Sequence, residues 1–463
     1  MLNKKIIENV LQAALETGGD FAEIFVEDKY NTSISLVGGL IEKNNSGRDY
    51  GVGIRIFNKL NSVYAYTNDS SEDNLVHVAK EAATAIKGSK ISLLLNFMKF
   101  EPRNLNPIKL LPSSVSKEEK INLVKKGYEV AKNYSESISQ VSVNYLDNEQ
   151  NILIANTEGL LAEDKRIRTR YMVGSVASKN GEMQQGYYAP GASMGFEFFD
   201  NVNVEDVAKE ASRIATTMID AKYSPSGNIP VIIDNEFGGV LFHEACGHSL
   251  EAEFVSKNTS AFANKIGEQV ASPLVTAIDD GTIENQWGTT NIDDEGTPTQ
   301  KNILIKDGIL KSYLVDKFNG RRMNTESTGS GRRESYKFAP TSRMNNTYIA
   351  RGDSTLDEII SNTEDGLYAK KLGGGSVNPA TGDFNFAVME GYLIENGKVK
   401  SPVRGATLIG NGAKTLQDID MVGSELALGE GMCGASSGSI PAGLGQPPIR
   451  VKSMTVGGRK EED

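Results

Sequence analysis

The chemistry-bearing residues of this chain are concentrated in one stretch, Phe242-His243-Glu244-Ala245-Cys246-Gly247-His248-Ser249-Leu250-Glu251-Ala252-Glu253. The sequence contains 3 histidines, and two of them stand in this stretch, with a glutamate directly after the first. Imidazole is a frequent metal ligand, and a neighbouring carboxylate can take a proton from a metal-activated water. The stretch therefore predicts a helix that carries a metal site, with His243 and His248 as ligands and Glu244 as general base.

The spacing of the two histidines requires that this helix is distorted. In a regular α-helix, residues i and i+5 lie roughly 140° apart around the axis, so the two rings would not reach one ion. A π-helical turn would bring them nearly onto one face, and such turns favour functional sites. Alternatively, the helix could end or distort at Gly247, because glycine tolerates backbone angles that other residues avoid. We therefore expect an irregular helix around Gly247, with Asp234 or Asn235 as its N-cap.

A catalytic zinc site would need one more protein ligand. Such sites usually have three protein ligands and an open position for water. The remaining histidine, His77, has no partner residue near it in the sequence, so we expect it to be structural or solvated. The third ligand is then a cysteine or a carboxylate, and the candidates are Cys246, Cys433, Glu251 and Glu253.

Two other interpretations of the stretch compete with a metal site. In the first, both histidines are hydrogen-bonded core residues of a buried helix. In the second, Cys246 or Cys433 is a nucleophile that a histidine activates. A thiol inside a helix has little freedom to reach a substrate, and buried cysteine is a common small core residue. The metal site is therefore favoured, and Cys433, in the glycine-flanked sequence 431–434, suits either role.

The composition is that of an ordinary soluble globular protein. Of the 463 residues, 39% are hydrophobic and 24% are charged, and the formal net charge is −11. This acidic balance disfavours a nucleic-acid-binding surface, which needs a basic face. The 2 cysteines cannot build a disulfide framework, so the expected compartment is the reducing cytoplasm. No run of about 18 apolar residues occurs, so no membrane span is expected.

The length and texture of the chain predict two domains of the α+β class. A single core rarely extends over so many residues, and Ser224-Pro225-Ser226-Gly227-Asn228 is the best boundary. The first domain, residues 1–225, mixes helix patterns with strand patterns and predicts an antiparallel sheet with helices. The strand patterns include the segments 21–27, 32–36, 138–145 and 152–156.

The second domain, residues 226–463, is expected to be β-rich and to carry the histidine helix packed on its sheet. Short apolar runs follow residue 270, and glycine is frequent between them. The pairs Asp307-Gly308 and Asn396-Gly397 are strong signals for two-residue hairpin turns.

Two polar clusters stand outside the histidine stretch. Residues 329–336, Gly-Ser-Gly-Arg-Arg-Glu-Ser-Tyr, could bind a carboxylate or carbonyl group of a substrate, or form a solvated loop. Asp293-Asp294-Glu295 has the composition of a calcium site, but it lacks the spacing of an EF-hand loop.

Several motifs follow one another in a fixed order. They are His-Glu-Ala-Cys-Gly-His at 243–248, Ile-Asp-Asp-Glu-Gly-Thr-Pro at 292–298, Gly-Arg-Arg-Glu-Ser-Tyr at 331–336, Gly-Ala-Thr-Leu-Ile-Gly at 405–410, Met-Val-Gly at 421–423, Gly-Met-Cys-Gly at 431–434 and Val-Gly-Gly at 456–458. Together they resemble the TldD/PmbA family. The strong matches span about residues 229–458, and the N-terminal pattern fits more loosely.

The resemblance implies a zinc metallopeptidase. Its Zn²⁺ ligands would be His243, His248 and Cys433, and Glu244 would be the general base. Because the chain carries the HExxxH motif, it is similar to the catalytic TldD members and not to the TldE (PmbA) members. The partner would be a TldE/PmbA-like subunit in a heterodimer, or a second copy in a homodimer. The Ser-rich segment 435–439 departs from the family pattern.

The resemblance also implies the substrates, which would be unfolded or short peptides, in peptide maturation or degradation. Glu244 would take a proton from the attacking water and pass it to the leaving amine. Arg332, Arg333 or Tyr336 would help to stabilise the oxyanion. A peptide bound as an added β-strand would be selected for being unfolded. The rival hypothesis is a non-enzymatic, metal-stabilised protein that regulates another protein by binding it.

Overall fold

The computed structural model describes residues 2–90, 95–378 and 381–459. In its first half, helices lie against a mainly antiparallel sheet. The strands are β1 (Phe21–Val37), β2 (Leu40–Asn58), β3 (Asn61–Thr67), β4 (Met98–Phe100), β5 (Ile138–Asn156), β6 (Leu160–Lys179), β7 (Glu182–Tyr188) and β8 (Gly191–Ala192). The helices are α1 (Lys4–Ala14), α2 (Glu72–Ala83), α3 (Lys117–Lys132) and α4 (Val204–Ile219). The strand order is β3-β2-β1-β5-β6-β4, and β7 and β8 also pair with β6.

The strands of this first sheet are longer than the sequence pattern predicts. The predicted segments 21–27 and 32–36 belong to one strand, β1, and 138–145 and 152–156 belong to β5. Polar residues between them, such as Lys29, stay in the ladder because β1 pairs with β2 on one side and β5 on the other. The backbone groups are therefore satisfied whatever the polarity of the side chain.

Side-chain caps begin α1, α3 and α4, whereas Ser71 at the start of α2 forms no capping hydrogen bond through its side chain. Ser116 accepts a hydrogen bond from the N–H of Glu119 at 3.2 Å, and Asn203 caps α4 in the same way. The apolar face of α4 is buried against the sheet; its members include Val207, Ala211, Ile214, Ala215 and Met218. No helix within the described ranges is both long enough and apolar enough to cross a membrane.

The second half of the described chain is β-rich, as predicted. Its strands are β9 (Lys222–Tyr223), β10 (Gly227–Ile233), β11 (Ala277–Asp280), β12 (Lys301–Lys306), β13 (Ile309–Leu310), β14 (Gly331–Arg332), β15 (Thr341–Ser342), β16 (Asn346–Ile349), β17 (Asp365–Val377), β18 (Asp383–Glu395), β19 (Lys398–Arg404), β20 (Thr407–Asn411), β21 (Ile419–Val422), β22 (Ala427–Ala435), β23 (Gly438–Gln446) and β24 (Ile449–Gly457). Its helices are α5 (Val240–Phe242), α6 (Ala252–Val255), α7 (Lys317–Met323), α8 (Leu356–Ser361) and α9 (Gly412–Gln417).

These strands form two larger sheets that enclose one core. One sheet has the order β17-β10-β24-β20-β18-β19-β9, with β21 on β24, and the other has the order β13-β12-β11-β16-β23-β22. The hairpin turns at Asp307-Gly308 and Asn396-Gly397 are confirmed, since all four residues have positive φ as a type I′ turn requires. The α+β class is thus confirmed. The division of the chain at residues 225 and 226 stays a prediction.

Buried ion pairs join the first sheet to loops of the second half. The pairs are Arg333 with Glu23 of β1 (2.7 Å), Arg55 of β2 with Glu295 (2.5 Å) and Arg166 of β6 with Asp294 (2.5 Å). Asp293, the remaining acidic residue of the segment 293–295, accepts hydrogen bonds from the backbone N–H groups of Glu295, Thr297 and Gly331. The segment 293–295, which has the composition of a calcium site, is therefore occupied by structural contacts.

Candidate metal centre

The histidine-bearing segment is a helix whose winding changes along its length. A 3-10 turn at Phe237–Gly239 leads into α5, a π-helical turn follows at His243–Gly247, and a 3-10 turn at His248–Leu250 ends the segment. In the π-turn, the N–H of His248 donates to the carbonyl of His243. The two rings thereby come together, with centroids 5.2 Å apart and planes at 84°. The predicted irregular helix is confirmed, and it takes the π-helical form.

Close packing, and not an unusual backbone angle, explains the glycine in this turn. Gly247 has helical angles, with φ −55° and ψ −51°. A Cβ at this position would overlap the Sδ of the buried Met344 and lie 3.1 Å from its Cε. Gly247 therefore lets β16 and its preceding residues approach the π-turn.

The predicted N-cap of this segment is wrong. The residue before the first turn is Glu236, which has φ 60°, and no side chain caps the turn. Asp234 instead accepts hydrogen bonds from the N–H of Asn235 and from the hydroxyl of Tyr368. The sharp bend at Glu236, whose carboxylate pairs with Lys371 at 2.6 Å, carries the chain past the capping position.

Three buried side chains converge at the π-turn: His243, His248 and Cys433. The Nε2 of His243 lies 3.2 Å from the Sγ of Cys433, and the Nε2 of His248 lies 3.4 Å from the same sulfur. The three candidate ligand atoms all lie within 4.8 Å of one another. A tetrahedral zinc ion holds its nitrogen and sulfur ligands about 3.5 Å apart, so these distances suit ligands of one ion.

The chemistry of these donors also fits a metal of zinc type. Thiolate and imidazole favour ions such as zinc, whereas calcium and magnesium prefer oxygen ligands. The side chain of His243 is 1% exposed, and its Nδ1 is buried with no hydrogen-bond partner in the described part of the chain. Its Nε2 faces the sulfur of Cys433, on the side where a shared ion would bind.

Cys433 reaches the histidines from a hairpin near the end of the chain. Within this hairpin, formed by β22 and β23, Cys433 pairs with Ile440. The buried guanidinium of Arg343 donates to the carbonyl of Cys433 and, at 2.9 Å each, to the hydroxyl of Ser437 and the carbonyl of Gly438. The Ser-rich segment 435–439 is thus the tip of the hairpin, and Arg343 holds it so that Cys433 faces the histidines.

Two carboxylates border the cluster in different ways. The Oε2 of Glu251 lies 3.2 Å from Nδ1 of His248, the ring nitrogen on the side away from Cys433. This contact fixes the orientation of the ring, as carboxylates commonly do for metal-binding histidines. Glu244 places its Oε2 3.8 Å from Nε2 of His248, and its side chain is 31% exposed. Glu244 is therefore the carboxylate that both solvent and the cluster can reach.

The charges of the cluster shift the pKa values of its members in opposite directions. Burial lowers the pKa of His248, but Glu251 and Cys433 outweigh it and raise this pKa well above its usual value. Burial raises the pKa of Cys433, but the two histidines outweigh it and hold this pKa well below its usual value. At neutral pH these shifts favour a thiolate at Cys433, the form that binds metals.

The other candidate ligands lie apart from the three converging atoms. Cys246 is buried in the core, and burial raises the pKa of its thiol strongly, so it suits neither a ligand nor a nucleophile. Glu253 accepts hydrogen bonds from Thr341 and Ser436, at 3.0 Å each. His77 is exposed on α2.

The polar cluster at 329–336 is largely buried and is not a solvated loop. Arg333 pairs with Glu23, and the N–H of Tyr336 donates to Glu27 of β1 at 2.8 Å. Neither residue bonds to the converging side chains within the described part of the chain. Sequence patterns offered no signal for Arg343, whose importance depends on contacts with a hairpin about 90 residues further along the chain.

The chain matches three consecutive domains of one metallopeptidase family. They are PmbA/TldA metallopeptidase domain 1 at residues 22–86, the central domain at 110–219 and the C-terminal domain at 226–458. The metalloprotease TldD homologue of Buchnera aphidicola is 39% identical over 95% of this chain and 93% of its own length. The homologue of Haemophilus influenzae is 39% identical over 99% and 97%. The protein of Saccharolobus solfataricus named zinc metalloprotease TldD homolog is 26% identical over 97% and 99%.

Solved structures share the fold over nearly the whole chain. A Thermotoga maritima protein described as a candidate modulator of a DNA gyrase has a TM-score of 0.81 at 22% identity, covering 98% of this chain and 100% of its own. TldE from Thermococcus kodakarensis has a TM-score of 0.77 at 21% identity, with coverages of 97% and 99%. By these matches, the chain belongs to the TldD/PmbA metallopeptidase family.

Proposed function

We propose that this protein is a zinc-dependent peptidase in which His243, His248 and Cys433 hold the ion and Glu244 is the general base. The observation that carries the proposal is the convergence of the three buried donors beside one partly exposed carboxylate. The names of the relatives, which include metalloprotease and zinc metalloprotease, support it.

The bound ion would supply Lewis acidity toward a water molecule and toward the carbonyl of the peptide bond. Glu244 accepts a proton from the water as its oxygen forms a bond to the carbonyl carbon. The same carboxyl group then returns the proton to the amine nitrogen as the C–N bond breaks. Glu251 takes no part in these transfers, since it faces Nδ1 of His248, and its role is to hold the ring in place.

The position of Cys433 favours an extended peptide as substrate. Its strand, β22, is the last strand in the order of its sheet, and such a strand can pair with an added one. A cavity of about 360 Å³ beside β22 is lined by apolar side chains, among them Tyr188, Phe237 and Met389, and also by charged residues: Arg170, Glu236, Lys371 and Glu430. Unfolded or short peptides are therefore the proposed substrates, in peptide maturation or degradation, with the backbone recognised more than the sequence.

A TldE-like chain is the proposed partner subunit, and a second copy of this chain is the alternative. A protein named TldE shares this fold, which supports a TldE-like chain as the partner. The cytoplasm is the proposed compartment, because a site with a free thiol at Cys433 requires reducing conditions.

The proposal is tested by the zinc content of the purified protein and its cysteine variants. Cys433→Ala should lose most of the zinc, because it removes the sulfur on which both histidines converge. Cys246→Ala is the matched control, since Cys246 is equally buried but lies outside the cluster, and it should keep the zinc. Unchanged zinc in Cys433→Ala would overturn the ligand assignment.

Hydrolysis of an unstructured peptide, measured while zinc is added back to metal-free protein, tests the activity. Turnover that rises in proportion to bound zinc supports the peptidase. Full zinc occupancy with no turnover, in the presence of a TldE-like partner chain, would favour the alternative, a metal-stabilised regulator that binds another protein.

A further inference from the structure

Arginine side chains line another cavity, which is polar and lies at the junction of the first sheet with the hairpin that carries Cys433. The cavity has a volume of about 260 Å³. Its walls include Arg166, Arg168 and Arg170 from β6, Arg332 from β14, and Met432 from β22. We call it the arginine cavity.

Two of these arginines are buried and form no direct ion pair in the described part of the chain. Arg166 pairs with Asp164 and Asp294. Arg168 and Arg332 are 5% and 3% exposed, and neither forms an ion pair with a carboxylate within residues 2–90, 95–378 and 381–459. In the part of the chain that the structure describes, their hydrogen bonds go to backbone carbonyls, and Arg332 makes one such bond, to Met344 at 2.7 Å.

The surroundings of these two groups disfavour their charged forms. Burial, with the nearby guanidinium groups of Arg332 and Arg166, lowers the pKa of Arg168 to about 9. Burial also lowers the pKa of Arg332 to about 10, against the opposing effect of Asp294. The cavity wall carries six cationic side chains and two carboxylates, Asp294 and Glu334, so its charge is positive overall and favours an anion as ligand.

We propose that the arginine cavity binds a carboxylate group of the peptide substrate, either an acidic side chain or the C-terminal carboxylate. The inference rests on the proposed peptidase function. A guanidinium group offers paired N–H donors that match the two oxygens of a carboxylate. Met432 in the cavity wall is the chain neighbour of Cys433, and neighbouring residues of a strand point to opposite faces. Successive side chains of a peptide paired along β22 would therefore face the metal centre and the arginine cavity in turn.

The test measures binding without turnover, in the Glu244→Gln background. The probes are a short capped peptide that has no acidic residue, and versions of it with one glutamate at each position or a free C-terminus. Calorimetry should show that at least one carboxylate-bearing peptide binds about tenfold more tightly than the capped one, the effect of roughly one charge-assisted contact. Adding Arg332→Gln should remove this preference.

Arg351→Gln is the matched control, because it removes a guanidinium group from an exposed position and should leave the preference intact. Ser439→Glu provides a second test that does not disturb a buried arginine. Ser439 is an exposed residue of the cavity wall, and a glutamate there should compete with the ligand and weaken the preference, whereas Ser439→Gln should not.

Equal affinity of the Glu244→Gln protein for all the peptides would overturn the proposal. A preference that survives both Arg332→Gln and Ser439→Glu would overturn it as well. Inorganic phosphate distinguishes a free anion from a peptide carboxylate. Phosphate could raise the melting temperature of the Glu244→Gln protein but not that of the protein with Arg332→Gln added, while no peptide is preferred. In that case the cavity holds a free anion and the proposal is overturned. Selective binding of carboxylate peptides that the zinc-loaded chain with its partner never cleaves would instead overturn the peptidase function.

Discussion

The Nδ1 of His248 lies 3.2 Å from the Oε2 of Glu251, while its Nε2 lies 3.4 Å from the Sγ of Cys433. The imidazole is thus held between a carboxylate and a sulfur. Because Glu251 is fully buried and its Oε2 contacts the nitrogen on the side away from Cys433, it can tune the proposed ligand His248 without occupying a ligand position itself. This relationship leads to the first prediction.

Replacing Glu251 with Gln should weaken zinc binding by about tenfold to a hundredfold, the usual effect of losing a carboxylate behind a metal-binding histidine. The amide keeps a hydrogen-bond acceptor but loses the charge. A competitive titration with a chromophoric chelator measures the change. Glu253→Gln is the control, since Glu253 contacts Thr341 and Ser436 instead, and it should bind zinc as the parent does. Equal losses in both variants would contradict the role of Glu251.

Zinc binding to metal-free protein near pH 7 should release about one proton. The raised pKa of His248 keeps its imidazole protonated, and the lowered pKa of Cys433 keeps its thiol ionised, so the ion displaces the proton of His248. Affinity should therefore rise about tenfold per pH unit, until the pH exceeds the pKa of His248. Calorimetry in buffers of different ionisation enthalpy counts the protons. Release of clearly more than one proton would contradict this assignment of charges.

Glu244→Gln should reduce kcat by about a thousandfold and leave the zinc content unchanged. General acid–base groups contribute about 10²–10⁴ to rate, and Gln cannot accept the proton of the water. The carboxylate of Glu244 is partly exposed and is not one of the three converging donors, so the ion should remain. Peptide hydrolysis and metal analysis on the same preparation decide the point. Undiminished hydrolysis would remove Glu244 from the mechanism.

Features that depend on neighbouring residues could be predicted from the sequence. The spacing of His243 and His248 required a distorted helix, and the structure has the π-turn that the spacing favours. Asp307-Gly308 and Asn396-Gly397 form hairpin turns because the left-handed backbone conformation costs these residues little energy.

Features that depend on distant contacts could not be predicted in the same way. The i to i+5 pattern left four residues open as third ligands, and only the folded chain shows which of them faces the histidines: Cys246, Cys433, Glu251 or Glu253. Pairing on both sides carries β1 through the polar residues at which the pattern predicts a break. Arg343 falls in the same class, since its role exists only where two distant segments meet.

Gly247→Ala should destabilise the protein by about 1–3 kcal/mol, the usual effect of adding a methyl group to a packed core. Alanine is the better helix former by about 1 kcal/mol, so the substitution lowers the free energy of unfolding only if Met344 cannot move away from the new methyl group. The Cβ would overlap the Sδ of Met344, which is fully buried, so we expect the clash to win and the π-turn to shift. His248 would then move away from His243, and zinc affinity should fall together with the free energy of unfolding.

A double-mutant cycle with Met344→Ala tests this packing directly. The single change Met344→Ala opens a cavity and should itself cost about 2–5 kcal/mol, but it also makes room for the new methyl group. Urea unfolding of the metal-free proteins should therefore show that the double variant is more stable than the sum of the two changes predicts, by about 1 kcal/mol or more. Gly374→Ala is the control, because no atom lies within 4 Å of a Cβ built there, and it should show no coupling to Met344→Ala. Additive losses at Gly247 and Met344 would mean that the π-turn tolerates the methyl group without help. The glycine would then need another explanation than the approach of Met344.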